Sequence, residues 1–160
     1  MKKISLLLAT LLIFVFGVFA LASGEKESAD QGSGTADPSK VGDYSVIIDS
    51  CRLAKDYEGK DIVIVKYNFK NVEDDDAAAF YLTFEDAVYQ NGVGLNESYV
   101  AAESAKYDAS AQTKAIKKGA SIDVEVAYEL NDNKTDILVE VSELMSFDDK
   151  TITKTFSISK

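Results

Sequence analysis

The chain has no histidine, one cysteine and one proline among its 160 residues. Without histidine, a Ser-His-Asp triad, a Cys-His pair and any histidine metal site are excluded. With Cys51 alone, neither an intramolecular disulfide, a thiolate zinc site nor a redox pair can form. The fold must therefore be held by its core. Cys51 itself reads as a small buried hydrophobe at the end of a strand, with dimerisation through it as the alternative. No glycine-rich phosphate loop with its lysine is present, since Gly92 to Gly94 reads as a hairpin turn followed by a bulge-like glycine. Positive charge is also scarce: 17 Lys and Arg against 27 Asp and Glu give a net charge of −10. A nucleic-acid ligand or an anionic membrane surface needs a concentrated basic patch, so neither is an expected partner. The acidity reads as a solubility device.

There is one long hydrophobic run, and it lies at the start. Met1-Lys2-Lys3 precedes an apolar stretch from Leu6 to Phe19, followed by Ala20-Leu21-Ala22. A cationic start, an apolar middle and a small-residue A-x-A site make a signal peptide over residues 1–22, cut between Ala22 and Ser23. The alternative is an uncleaved anchor, because Ile4 to Ala22 as a helix would reach roughly 28 Å at about 1.5 Å per residue. Leu21-Ala22-Ser23 also resembles the first positions of a bacterial lipoprotein box, but Gly24 stands where the lipid-bearing cysteine should follow. Lipidation through a thioether is thus not expected. Removing residues 1–22 takes away two lysines and no acid, which moves the net charge from −10 to −12. The expected location is secreted or on the outer face of the cell membrane.

Residues 23–42, SGEKESADQGSGTADPSKVG, hold almost nothing to bury and read as a flexible acidic linker. Residues 43–160 are a suitable length for one domain. Their pattern has period two. Ile122, Val124, Val126, Tyr128 and Leu130 alternate with Asp123, Glu125, Ala127 and Glu129. Val63, Val65, Tyr67 and Phe69 form a second stripe, with Ile62 and Ile64 on the reverse face. Phe80, Leu82 and Phe84 form a third, Ile137, Val139 and Val141 a fourth, and Ile152, Phe156 and Ile158 a fifth. Turn residues punctuate these runs at Glu58-Gly59, Asn91-Gly92, Lys118-Gly119 and Asn131-Asp132-Asn133. About seven short strands so spaced predict an all-β, antiparallel β-sandwich. Ser98 to Lys118 is the exception, Ala-rich and polar, and could be a short helix or a long loop.

The stretches YSVIIDSCRLAKDYEGKDIVIVKYNFKN, AVYQNGVGL, KKGASIDVEVAYELND and LMSFDDKTITKTF resemble a family of uncharacterised domains in Gram-positive bacterial surface lipoproteins. LAKDYEGK, YQNG and AYELND are the most distinctive parts. The resemblance covers nearly all of 43–160 and implies an immunoglobulin-like sandwich, similar in fold to the immunoprotective secreted antigen of mycobacteria. It implies no catalytic residues.

Two functions from different classes follow. The first is an exported or cell-surface binding module, monomeric, without cofactor or metal, whose partner is an envelope protein or a cell-wall glycan. The second is a hydrolase of envelope glycans using a carboxylate pair, for which Asp123 with Glu125, or Glu125 with Glu129, share a strand face. Alternating acids on a strand read first as a solvated face. Glu73 to Asp76, Asp148-Asp149, and Asn131 to Asn133 with Asp136 lack the spacing of a calcium loop and read as turns. The recognition surface is expected in Ser98 to Lys118, where Tyr99 and Tyr107 sit among small residues; tyrosines in such a setting give large amphipathic contact area at modest entropy cost. The alternative is that both tyrosines cap the sandwich end.

Overall fold

A computed structural model describes residues 38–99, 103–146 and 150–159. The cleavage site at Ala22 and Ser23 and the Asp148-Asp149 pair lie outside the described residues. Among the described residues, eight antiparallel strands form two four-stranded sheets. They are β1 (Lys40–Val41), β2 (Tyr44–Lys55), β3 (Asp61–Asn71), β4 (Phe84–Gln90), β5 (Val93–Gly94), β6 (Ser121–Glu129), β7 (Ile137–Glu143) and β8 (Thr151–Phe156). One sheet runs β1-β2-β3-β6 and the other β5-β4-β7-β8. The chain thus leaves the first sheet after β3, returns to it for β6 and leaves again for β7. That is the Greek-key order of an immunoglobulin-like sandwich. Lys40 and Val41, at the end of the linker-like stretch, pair with Ser45 and Tyr44.

The alternation seen in the sequence places the core. Val63, Val65, Tyr67 and Phe69 of β3 face Val124, Val126 and Tyr128 of the neighbouring β6 and, across the sandwich, Val88, Val139 and Val141, all buried in one cluster. Each such side chain contributes about 1.5–3 kcal/mol relative to being left exposed. Ile62 and Ile64 point to the other face of the same sheet, yet both are buried with Ala105 and Ala127 in a second, smaller cluster. What covers them is residues 103–118, which carry two 3-10 turns, Glu103–Ala105 and Ala109–Thr113. It is tied down by Arg52, which donates to the Ala105 carbonyl at 2.6 Å, and by Gln112, which donates to the Glu125 carbonyl at 2.7 Å.

Two local expectations fail. Phe80, Leu82 and Phe84 do not form a strand stripe: Phe80–Thr83 is a single helical turn and β4 begins only at Phe84. The turn buries Phe80 and leaves Leu82 64% exposed, so three apolar residues at even spacing came from two elements. Cys51 lies within β2 opposite Val65, half-buried, and is not at a strand end. The same strand carries a bulge between Ile48 and Ser50. Lys154 of β8 donates to the Ile48 and Asp49 carbonyls at 2.8 and 2.7 Å, and so ties the adjoining edges of the two sheets together. The Asn91-Gly92 turn is as expected, with both residues at positive φ, 52° and 75°, as the tight β4–β5 hairpin requires.

Candidate functional site

Strand geometry puts Phe84, Asp86, Val88 and Gln90 on one face of β4, and that face looks inward. Phe84 and Val88 belong to the core cluster. The two polar residues meet different surroundings. Gln90 is 2% exposed. Its amide donates to the carbonyls of Asp132 and Thr135 at 3.1 and 2.9 Å, while its oxygen accepts from the backbone N–H of Asn131 and Asp132 at 2.9 and 3.4 Å. It is a fully satisfied plug for the β6–β7 turn.

Asp86 is half-buried and opens to the surface. The Tyr128 hydroxyl donates to its carboxylate. The Tyr67 hydroxyl lies wholly buried beside Asp86 and Tyr128, and no hydrogen bond of normal geometry completes it. Burial pushes the Asp86 carboxyl above its usual range, against the opposing pull of the two tyrosine hydroxyls; the nearby Glu97 raises it further. The Tyr128 and Tyr67 phenols are pushed up as well, chiefly by burial.

Two clefts, of about 400 and 480 Å³, meet at this point and share Asp86, Glu97 and Tyr99. Glu97 arrives because residues 95–98 run between the sheets. Leu95 N–H donates to Val88 of β4 at 2.7 Å, Ser98 N–H donates to Ala127 of β6 at 2.7 Å, and Glu97 bridges to Tyr128. The smaller cleft is floored by Phe80, Phe84 and Val126 and walled by Tyr81 and Leu144. Its charged lining is Glu85, Asp86 and Glu97, with no lysine or arginine among the described residues. The apolar wall is open: Tyr81 and Leu144 are both exposed, as are their chain neighbours Leu82 and Met145, and Leu144 is held by its N–H to the Thr83 carbonyl.

Of the two tyrosines singled out in the sequence, Tyr99 is 76% exposed at the meeting point of the clefts, where a hydrogen bond with Glu97 raises its phenol. Tyr107 is half-buried. It packs against the Ile62, Ile64, Ala105 and Ala127 cluster, and its hydroxyl accepts from Gln112 at 3.0 Å. The acids of β6 do not converge on these clefts. Asp123 pairs with Lys66 at 2.8 Å and Glu125 with Arg52 at 2.9 Å. Asp75 pairs with Lys118 at 2.8 Å; Asp132 accepts from the Lys134 and Thr135 N–H groups at 2.8 and 2.7 Å. Asp86 and Glu97 were not singled out from sequence. Asp86 had a signal, an acid in register with Phe84 and Val88, whereas Glu97 reaches the site through pairings distant in the chain.

A third cleft, of about 510 Å³, lies on the far side of the first sheet beside Arg52, Lys55 and Lys134. Arg52 and Lys55 are already paired there, with Glu125 and with Asp61 at 2.7 Å, so this is the weaker candidate for a ligand.

No curated protein matches the chain. Among solved structures, it is similar to a Staphylococcus aureus subsp. aureus NCTC 8325 protein provisionally named a lipoprotein. The two share 20% identity and a TM-score of 0.54, over 76% of this chain and 92% of that one. It is also similar to a protein from Enterococcus faecalis determined by NMR, at 17% identity and a TM-score of 0.54, over 75% of this chain and 88% of that one. At these identities the likeness is one of fold. Residues 21–143, which hold the whole lining of both clefts except Leu144, match a family model, and the chain accordingly belongs to the family described as domain of unknown function DUF5067.

Proposed function

We propose that this chain is an exported binding module of the cell envelope that takes its ligand, an envelope protein or cell-wall glycan, at the cleft around Asp86, Glu97 and Tyr99. One observation carries this reading: an acid occupies a core-facing register position of β4 and opens into a cleft with an exposed apolar rim. Burying a carboxyl there costs free energy and does nothing for the core, and polar groups converging in a largely apolar cleft mark a binding site. The export leader and the fold shared with a protein provisionally named a lipoprotein support the outer face of the membrane as its location. In this reading Tyr99 contacts the ligand and Tyr107 holds the loop beneath it.

The test is capture from envelope extract by the full-length chain. Tyr99→Ala should weaken capture tenfold or more, about 1.4 kcal/mol, with an unchanged melting temperature. Tyr57→Ala, a control at another exposed tyrosine, on the Asp56–Gly59 turn and in the lining of neither cleft, should capture normally. Equal capture by all three proteins would remove the cleft from consideration. A second reading, hydrolysis of an envelope glycan, draws on the same two carboxylates, since a half-buried acid with its affinity for protons raised and a second acid in the same cleft is the equipment of a glycosidase. Release of reducing ends from envelope glycan by wild type and not by Asp86→Asn would establish it; no release by wild type would dismiss it.

A further inference from the structure

We infer that the cleft at Asp86 receives the side chain of a lysine on a partner peptide, its ammonium held between Asp86 and Glu97 and its carbon stem laid on the apolar wall. The inference rests on the reading of this cleft as the ligand site and names the chemistry of what enters it. Charge is the first ground. Glu85, Asp86 and Glu97 line the cleft, no lysine or arginine among the described residues shares that lining, and none lies within ion-pair distance of the three acids. On β6, by contrast, Asp123 and Glu125 each have a cation of their own. A positive ligand group would therefore supply what the protein does not.

Unused hydrogen-bonding capacity is the second ground. An ammonium brings three donors and no acceptor. Asp86 and Glu97 offer carboxylate oxygens from two separate segments that meet in the lining of both clefts. Acceptors spread over separate segments suit a compact point charge, whereas a guanidinium asks for a flat bidentate edge. The third ground is the wall. Phe80, Phe84 and Leu144 can cover a four-carbon stem, and Tyr81 and Tyr99 at the mouth present aromatic rings to a passing cation. Since burial raises the Asp86 carboxyl, docking of a cation should draw it toward the ionised form. Affinity should then rise with pH until Asp86 is fully ionised in the free protein.

The experiment is a titration of the 15N-labelled full-length chain with Ac-Ala-Lys-Ala-NH2, and with the same peptide carrying norleucine, which keeps the stem and removes the charge. The lysine peptide should shift the amide signals of Tyr81, Asp86, Glu97 and Tyr99, and bind at least tenfold tighter than the norleucine peptide. That advantage should be lost in Asp86→Asn and, should that variant fold poorly, in the surface variant Glu97→Gln. Equal binding of the two peptides, or shifts confined elsewhere, would overturn the ammonium. Tighter binding of an arginine peptide would replace lysine by guanidinium. Equal binding of free cadaverine would overturn the peptide as source and leave a small diamine. If no peptide binds while Tyr99→Ala still abolishes envelope capture, the ligand class is wrong and the site stands. If capture is also indifferent to Tyr99, both fall together.

Discussion

The inward face of β4 has two polar residues, and their ends of the sandwich have opposite characters. Gln90 closes its end: four hydrogen bonds use up its amide, and the β6–β7 turn is built around it. Asp86 leaves its end open, its carboxylate accepting from Tyr128 beside the buried Tyr67 hydroxyl and facing a cleft with an apolar rim. The difference teaches that a polar residue in core register is structural when its valences are all used within the fold, and a ligand candidate when they are not.

The largest effect should come from breaking the closed end. Gln90→Ala strands two backbone N–H groups and two carbonyls and leaves a cavity, so denaturant melts should show a loss of about 3 kcal/mol; a loss below about 1 kcal/mol would make the plug dispensable. A smaller effect is expected where a charged pair holds the 103–118 segment. Glu125→Val frees Arg52, which also holds the Ala105 carbonyl of the loop. Because the pair is partly solvated, the cost should be about 1 kcal/mol, against near zero for Asp123→Ala on the exposed end of the same strand. Tyr107→Ala should lower the melting temperature by a few degrees, whereas Tyr99→Ala should leave it alone; the reverse order would exchange their roles.

The smallest effect on stability, and the most telling, is at Asp86. Its carboxyl is raised in the folded state, so between the unfolded value, about 3.9, and the folded one the native protein holds more proton than the unfolded chain. Stability from this group is therefore fully present below about pH 4 and is lost as pH rises through the folded value. Asp86→Asn keeps an acceptor for Tyr128 and removes the titration. Its stability relative to wild type should improve as pH rises from about 4 toward neutrality, measured by urea melts at several pH values. A constant difference across that range would mean that Asp86 titrates normally. The carboxylates Asp74, Asp108 and Asp132, lowered by the hydrogen bonds they accept, act in the opposite sense and lose their contribution as pH falls, equally in both proteins.

Much of the fold was legible because alternation is a local signal. The stripes of β3, β6 and β7 and the Asn91-Gly92 turn are written in consecutive residues. Phe80 to Phe84 misled because a helical turn ending directly in a strand imitates a period of two over five residues. The cover on Ile62 and Ile64 was half legible: two isoleucines on the reverse face call for burial, but only the folded chain shows that 103–118 supplies it. The site was the least legible part. Tyr99 was visible as an aromatic among small residues, and Asp86 could have been found from its register with Phe84 and Val88. Glu97 could not, because it is placed by pairing with Tyr128, distant in the chain.

The most direct measurement is the 13C titration of the Asp86 carboxyl by NMR in the full-length chain, with and without the lysine peptide. The open-end account predicts a midpoint above the ordinary value of about 3.9 that falls when the peptide is added. A midpoint at or below that value, unmoved by the peptide, would contradict it.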